Sequence, residues 1–574
     1  MVQPAEKRLI TEDRFTPVQG QLNTVESEVD VLQGFQQSAT QELDSLDIRV
    51  TVLENSGGGG GGGVEVAASV KDYGAVGDGA TDDGQAIQDA LDGNSRVFFP
   101  AGVYVTNREL KIPSNRVVYG QGRDVSIIKG GPLLDRGWNV LTNSENNRQY
   151  RTTYNENIYL SDLTVNGNYA GRPAGSQSWD GNASCVFWST VRNVVVERVK
   201  AHDAPLHCFS IDASRLAAAE EGPEFMVPGP SQHVVLRDCQ ALNSHVDDGI
   251  TTHYSSEILI ENCTSIRTIP LDTGGGTNNG IEIDEGTYRA TVRDCYVSGW
   301  ANGVQIKGHS TTRPAFDILL DRVTCKGNQC SFLLSGTAAY ENPTLTGRAS
   351  NVTFRDCISL SPTDLGSGET VPGSAMKIFA YQNVVVENLI TRDSPHGGIV
   401  IDRSGQIIID GVRGEDVWTG TGHAGDGFIR TTGEINDDII IRNVHILNPI
   451  SGPIFRNNEE SQMRITVENL IASPETTNSF PAISDSYLST RRAYTGTAWL
   501  SGFSKIIEIR GGSGSTSNLE SYALYQSKGS GSPEGSVIAW PGHQFISSNA
   551  SGGFPLWIKA TGVGPDGWKG VSLV

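Results

Sequence analysis

The chain has 574 residues, a formal net charge of -21 and 67 glycines. So acidic a chain is a poor partner for nucleic acid, whose phosphates need a basic face, and no apolar run approaches the ~20 residues of a membrane span. Dense glycine together with strands rich in Val, Ile and Thr indicates an all-β protein, and a solenoid can absorb this length as one unit. Residues 1–20 carry no charged, apolar, small-residue leader, so no Sec signal is expected, and they are assigned to attachment. From Leu22 a heptad runs through Leu22, Val29, Gln36, Leu43 and Val50 at a, with Val25, Leu32, Ala39, Leu46 and Leu53 at d. This predicts a coiled coil over 21–55, with Gln36 as the buried polar residue that fixes register. The glycine run Gly57–Gly63 makes 56–63 a flexible linker.

Within Ser69–Leu91, Thr81 or Asp82 is placed to cap a helix whose apolar face is Ala86, Ile87, Ala90 and Leu91. Beyond it a phrase recurs, as NVVVERVKA from Asn193, HVVLRDCQA from His233, EILIENCTS from Glu257, RATVRDCYV from Arg289 and NVVVENLIT from Asn383. Copies lie roughly 23 to 40 residues apart with no amphipathic helical stretch between them, so 64–482 reads as a right-handed parallel β-helix carrying loops of varying length. Cys239, Cys263, Cys295 and Cys357 share one position of the phrase and should stack, reduced, as an interior ladder. Reduced thiols suit assembly in a cytoplasm. No CxxC pair occurs, and neither a metal nor a cofactor is expected.

A second phrase alternates apolar and polar letters: CFSID at Cys208–Asp212, GITTH at Gly249–His253, GIEID at Gly280–Asp284 and GVQIK at Gly303–Lys307. Stacked as rungs about 4.8 Å apart, these strands put Ser210, Thr251, Glu282 and Gln305 in one outward column. Asp212, His253, Asp284 and Lys307 fill the next. Side chains there should project outward from the apolar interior, making a wall of acids, a base and a cation. Long loops interrupt the period beside this wall and carry Trp138, Tyr150, Tyr154 and Trp179, whose faces suit pyranose stacking. With Asp212, Gln305, His309 and Trp300 they form the expected substrate-binding set.

After the last rung, residues 483–574 alternate short aromatic-bearing strands with GGSGSTS (Gly511–Ser517) and similar turns. The stretch SVKDYGAVGDGATDDGQAIQDAL, Ser69–Leu91, resembles the opening segment of pectate-lyase-like β-helix domains, in which a short helix caps the solenoid. Joined to a coiled coil, it resembles bacteriophage tailspikes and polysaccharide depolymerases, and FPLWIKATGVGPDGWKGVSLV from Phe554 is similar to their small C-terminal β modules. The resemblance covers nearly the whole chain, most specifically at Ser69–Leu91. It implies a homotrimer with a three-stranded coil, attachment to a phage tail or baseplate protein through the N-terminus, and a C-terminal module for trimerisation or glycan binding. It further implies a virion location after synthesis in the host cytoplasm.

VDDGI at Val246–Ile250 also resembles the DD motif of polygalacturonase-type glycoside hydrolases, and QIK at Gln305–Lys307 their RIK motif with the arginine replaced. The family's other two positions hold His207 and Asn279, so its inverting mechanism does not simply carry over. Glycoside hydrolysis needs a protonated acid and a carboxylate that activates water or attacks directly, and crowding carboxylates raises one pKa. The reading is Asp248 as acid, Glu282 or Asp284 as base, Asp247 in support, and His253 and Lys307 as charge partners. A lyase would instead use His253 or Lys307 with Arg293 or Arg313 against a uronic acid. The expected function is therefore a tailspike that binds and hydrolyses a host capsule, exopolysaccharide or lipopolysaccharide. The alternatives are a non-catalytic receptor-binding fibre and a β-eliminating lyase.

Overall fold

The computed structural model describes residues 66–144, 153–173, 183–213, 229–271, 277–308, 313–336, 349–363, 373–417, 427–433, 438–447, 452–457 and 465–473, with strands between 478 and 571. The heptads of 21–55, the linker, Tyr150, Trp179 and His309 lie outside the described residues.

The chain winds as a right-handed parallel β-helix whose strands form hydrogen-bonded sheets of 32 and 14 strands. One coil shows the pattern. Ser255–Glu261 lies in the first wall, Thr264–Ile266 in the second and Asn279–Ile283 in the third, which is the 14-stranded sheet. Each strand pairs in parallel with its equivalent one coil away, as Ile258 with Ala290 and Glu282 with Gln305. Val, Ile and Leu at alternate positions point inward and form one continuous core.

The corner between the first and second walls is a single residue with a left-handed backbone. Asp162, Arg198, Asp238, Asn262, Asp294, Arg322, Asp356 and Asn388 hold it on successive coils with φ between 50° and 57°. Asn and Asp accept that region at least cost, which explains their frequency just before the inward residue of the repeated phrase. That inward residue is Cys on four coils, and the cysteine ladder forms as expected. Cys239, Cys263, Cys295 and Cys357 are buried and free, and each thiol donates to a carbonyl of the preceding coil: Val196, Leu236, Ile260 and Leu320.

The helix Gly84–Gly93 closes the first coil, with Ile87, Ala90 and Leu91 buried. Its N-cap position is Asp83 rather than Thr81 or Asp82, and that side chain turns back to accept from the amides of Val76 and Gly77 at 2.6 and 3.0 Å. The carboxylate thus ties down the glycine turn instead of capping the helix. At the other end, parallel pairing continues past residue 482: Asn478–Asp485 pairs in parallel with Phe503–Ile509. Antiparallel pairing begins only between Gln544–Ser547 and Leu556–Lys559. Among the described residues no helix is long and apolar enough to cross a membrane.

Candidate functional site

The third wall carries both expected columns. Ser210 pairs with Thr251, Thr251 with Glu282 and Glu282 with Gln305. Alongside, the amide of His253 donates to Ile211 and that of Asp284 to Thr252, which continues the ladder through the second column to Lys307. Asp247 and Asp248 enter from the loop preceding Ile250–Thr252.

The columns are less open than the sequence suggests. Asp248 is 0 % exposed, Glu282 2 % and Asp284 1 %, so the outward face is a covered polar cluster rather than a solvated wall. Buried charges must be paired or held by hydrogen bonds, and these are. Glu282 accepts from Thr251 Oγ1 at 2.8 Å, Asn279 Nδ2 at 2.7 Å and Thr277 Oγ1 at 3.2 Å, and meets Lys307 Nζ at 2.8 Å. The same ammonium stands 3.4 Å from Asp284 Oδ2. Lys307 therefore bridges two carboxylates of the cluster. Its burial opposes the charge, but Asp284, Glu282, Asp248 and Asp247 together hold its pKa well above the usual lysine value.

Asp248 is the outlier among the acids. Burial, then the charges of Asp247 and Glu282, push its carboxyl well above the ordinary range, against a smaller opposing effect of Lys307. Its Oδ1 accepts from the Asn279 amide at 2.7 Å, while the buried Oδ2 has no hydrogen-bond partner. Asp247 goes the other way. Burial would raise it, but His207, whose Nε2 lies 3.5 Å from Oδ2, and the more distant Lys307 outweigh that and hold it below the ordinary value. Thr277 N donates to its Oδ1 at 2.9 Å. Two neighbouring carboxyls thus have opposed proton affinities, the arrangement from which acid and base roles are built.

His253 sits where its column requires, with Nε2 3.1 Å from Thr251 Oγ1 and Nδ1 3.5 Å from Asp284 Oδ2. Asp212 is buried, its Oδ1 accepting from the Ala213 amide, and Gln305 lies one rung beyond Glu282. The groups His207, Asp247, Asp248 and His253, Asp284, Glu285 each bring three ligand-type atoms within 4.8 Å. Lys307 already supplies the positive charge that Glu282 and Asp284 require.

The aromatic expectations divide. Trp138 is 54 % exposed on the loop before Leu141–Asn143, free to offer a face. Tyr154 lies at the far corner beneath the Arg192 guanidinium, 5.2 Å from its ring centre. Trp300 does not belong to the set. It is 1 % exposed, donates Nε1 to Ser265 O at 3.1 Å and fills the space left by Gly249 and Gly280, so no face remains for a sugar. Sequence reasoning missed Thr277, which holds both Asp247 and Glu282. It also assigned no role to Asn279 beyond a replaced histidine. Their position just ahead of the GIEID rung was the available signal.

Residues 67–318 match the family model described as rhamnogalacturonase A/epimerase, pectate lyase-like. The pre-neck appendage protein of Bacillus phage phi29 is 31 % identical over 329 residues, covering 57 % of this chain and 37 % of that protein. The match thus spans little more than a third of the relative's length. Among solved structures, an N-terminal fragment of bacteriophage phi29 gene product 12 superposes with a TM-score of 0.60 at 20 % identity, over 88 % of this chain and 96 % of that one. A tailspike double mutant of E. coli bacteriophage HK620 gives 0.53 at 14 % identity, over 78 % of each chain. The expected resemblance to phage tail proteins built on a pectate-lyase-like β-helix is borne out.

Proposed function

From a pectate-lyase-like β-helix related to phage appendage proteins, we propose a virion tail protein that binds a host-surface polysaccharide and hydrolyses it at the Asp248 cluster. The observation that carries the reading is the fully buried Asp248 carboxyl beside Asp247 and Glu282, a setting that raises its pKa well above the ordinary range and favours the neutral acid. A neutral carboxylic acid at physiological pH can protonate a glycosidic oxygen as the C–O bond breaks. Glu282 or Asp284 is the proposed base, the first held by Thr251, Asn279, Thr277 and Lys307 and the second by the Glu285 amide, His253 and Lys307. It would take a proton from the water whose oxygen bonds to the anomeric carbon.

Lyase chemistry is less well served. Its cation must neutralise a uronate, and Lys307 is already engaged by two carboxylates. The depth of the cluster favours a second reading, a binding fibre in which these acids never meet substrate. Purified full chain incubated with host polysaccharide separates the three. New reducing ends without an unsaturated product support hydrolysis, an ultraviolet-absorbing unsaturated product supports elimination, and adsorption with neither leaves an adhesin. Asp248→Asn should cut the release of reducing ends about 100-fold while adsorption persists.

A further inference from the structure

Beyond Lys307 the third wall changes sign. Its first outward column continues from Gln305 through Leu333, Lys377, Val400, Arg430 and Arg456, and its second from Lys307 through Ser335 and Phe379 to Asp402. Arg403 follows Asp402 at the corner. On these described strands a single carboxylate faces four cations. Arg430 and Arg456 stand on consecutive rungs, an arrangement of like charges that costs stability in a sheet.

Among these cations lies an apolar floor. Phe379 is half-buried with Lys377 Nζ 5.1 Å from its ring centre and Arg403 Cζ 5.4 Å away, while the buried Leu333 and Val400 lie on the rungs either side of Lys377. Asp402 reaches toward both cations, its carboxylate oxygens 4.0 Å from Lys377 Nζ and 3.7 Å from Arg403 Nε, beyond ordinary hydrogen-bond length. An aromatic face ringed by ammonium and guanidinium groups is complementary to a pyranose bearing an anionic substituent.

We propose that Phe379, Lys377 and Arg403 form a subsite for an acidic sugar residue, two rungs, roughly 10 Å, beyond Lys307 on the same wall. The polymer that fits the wall then has an uncharged residue at the acid cluster, where further negative charge would be repelled, and an anionic one at the Phe379 floor. The shared chemistry is a pyranose with a carboxylate or a phosphate ester. This deepens the saccharide reading and rests on saccharide binding along this wall, not on cleavage.

Equilibrium binding to the full chain, measured by calorimetry with polygalacturonate, phosphomannan and dextran, tests it without turnover. An acidic polymer should bind at least about tenfold more tightly than dextran and weaken as salt is raised, because the contact is ionic. Polygalacturonate ahead of phosphomannan identifies a uronate; the reverse order identifies a phosphorylated sugar. The double variant Lys377→Met, Arg403→Met should lose roughly tenfold of that affinity, and the single Lys377→Glu should do the same if the double variant does not fold. Equal affinity for dextran, no binding to any of the three, or unchanged binding in folded variants overturns the proposal. A chain that binds the acidic polymer by this route but never cuts a host polysaccharide sinks the hydrolase reading and leaves the subsite standing.

Discussion

Two polar columns run along this solenoid under the same rung spacing and obey opposite rules. At the one-residue corner Glu197, Arg237, Glu261, Arg293, Asp321, Arg355 and Glu387 follow one another on paired rungs, acid and base in strict alternation. Arg237 and Arg293 both reach Glu261 at 2.6 Å, and Arg355 reaches Asp321 at 2.7 Å. On the third wall the acids collect around one lysine and the bases gather several rungs further on. Repetition alone stacks identical positions, so sign is the quantity the sequence is free to choose. Alternation minimises repulsion and marks a structural seam. Segregation stores repulsion, which a folded chain tolerates where a proton, a substrate or a ligand relieves it.

The sharpest way to break the contrast is to remove the lone cation of the acid cluster. Lys307→Met leaves Glu282 and Asp284 buried without their charge partner and should cost about 3–5 kcal/mol in denaturant unfolding of the full chain; a loss under ~1 kcal/mol would show that the cluster is solvated after all. Next comes Asp248→Asn, which should cut turnover about 100-fold, ~2.7 kcal/mol of barrier, without unfolding the coil. Linkage gives this variant a second readout. Because the folded Asp248 pKa is raised, its contribution is complete below the unfolded aspartate value and is lost as pH rises through the folded one. Wild-type stability should therefore decline as pH rises from the unfolded aspartate value through the raised folded one, and the amide variant should be flatter there, with identical slopes counting against a raised Asp248 pKa. On the seam, Glu261→Gln weakens two arginine contacts at once and should cost about 1.5 kcal/mol with unchanged turnover. Smallest is the half-exposed pair Arg192–Glu156, 3.1 Å apart, where Arg192→Ala should cost only ~0.2–1 kcal/mol and less at high salt.

Period-2 alternation and a fixed offset between phrases were enough to place Glu282 over Thr251 and Cys263 beside Cys239, because strand register follows from pattern alone. Depth was not legible in the same way. Whether an outward residue meets water depends on what the inserted loops lay over it, and Thr277 reaches Asp247 and Glu282 from a loop with no repeat to align. Trp300 misled for the same reason. It follows Gly299, whose φ of 81° turns the indole into the core, while its neighbours in sequence look like surface turn. Phe379 and Lys377 escaped notice because SAMKIF lacks the glycine that opens GIEID and GVQIK. Asp247 and Asp248 were found through a motif, yet their opposed proton affinities come from His207 beside Asp247 and from burial with the charges of Asp247 and Glu282 at Asp248.

The left-handed corner has an evolutionary corollary. From Asp162 to Asn388 that turn stays at one residue on every coil, whereas the other two corners absorb insertions of many sizes on coils that stay in step. Variation is thereby confined to the edges that border the third wall. Loops there can change in length and chemistry while the coil beneath keeps its pitch and its core.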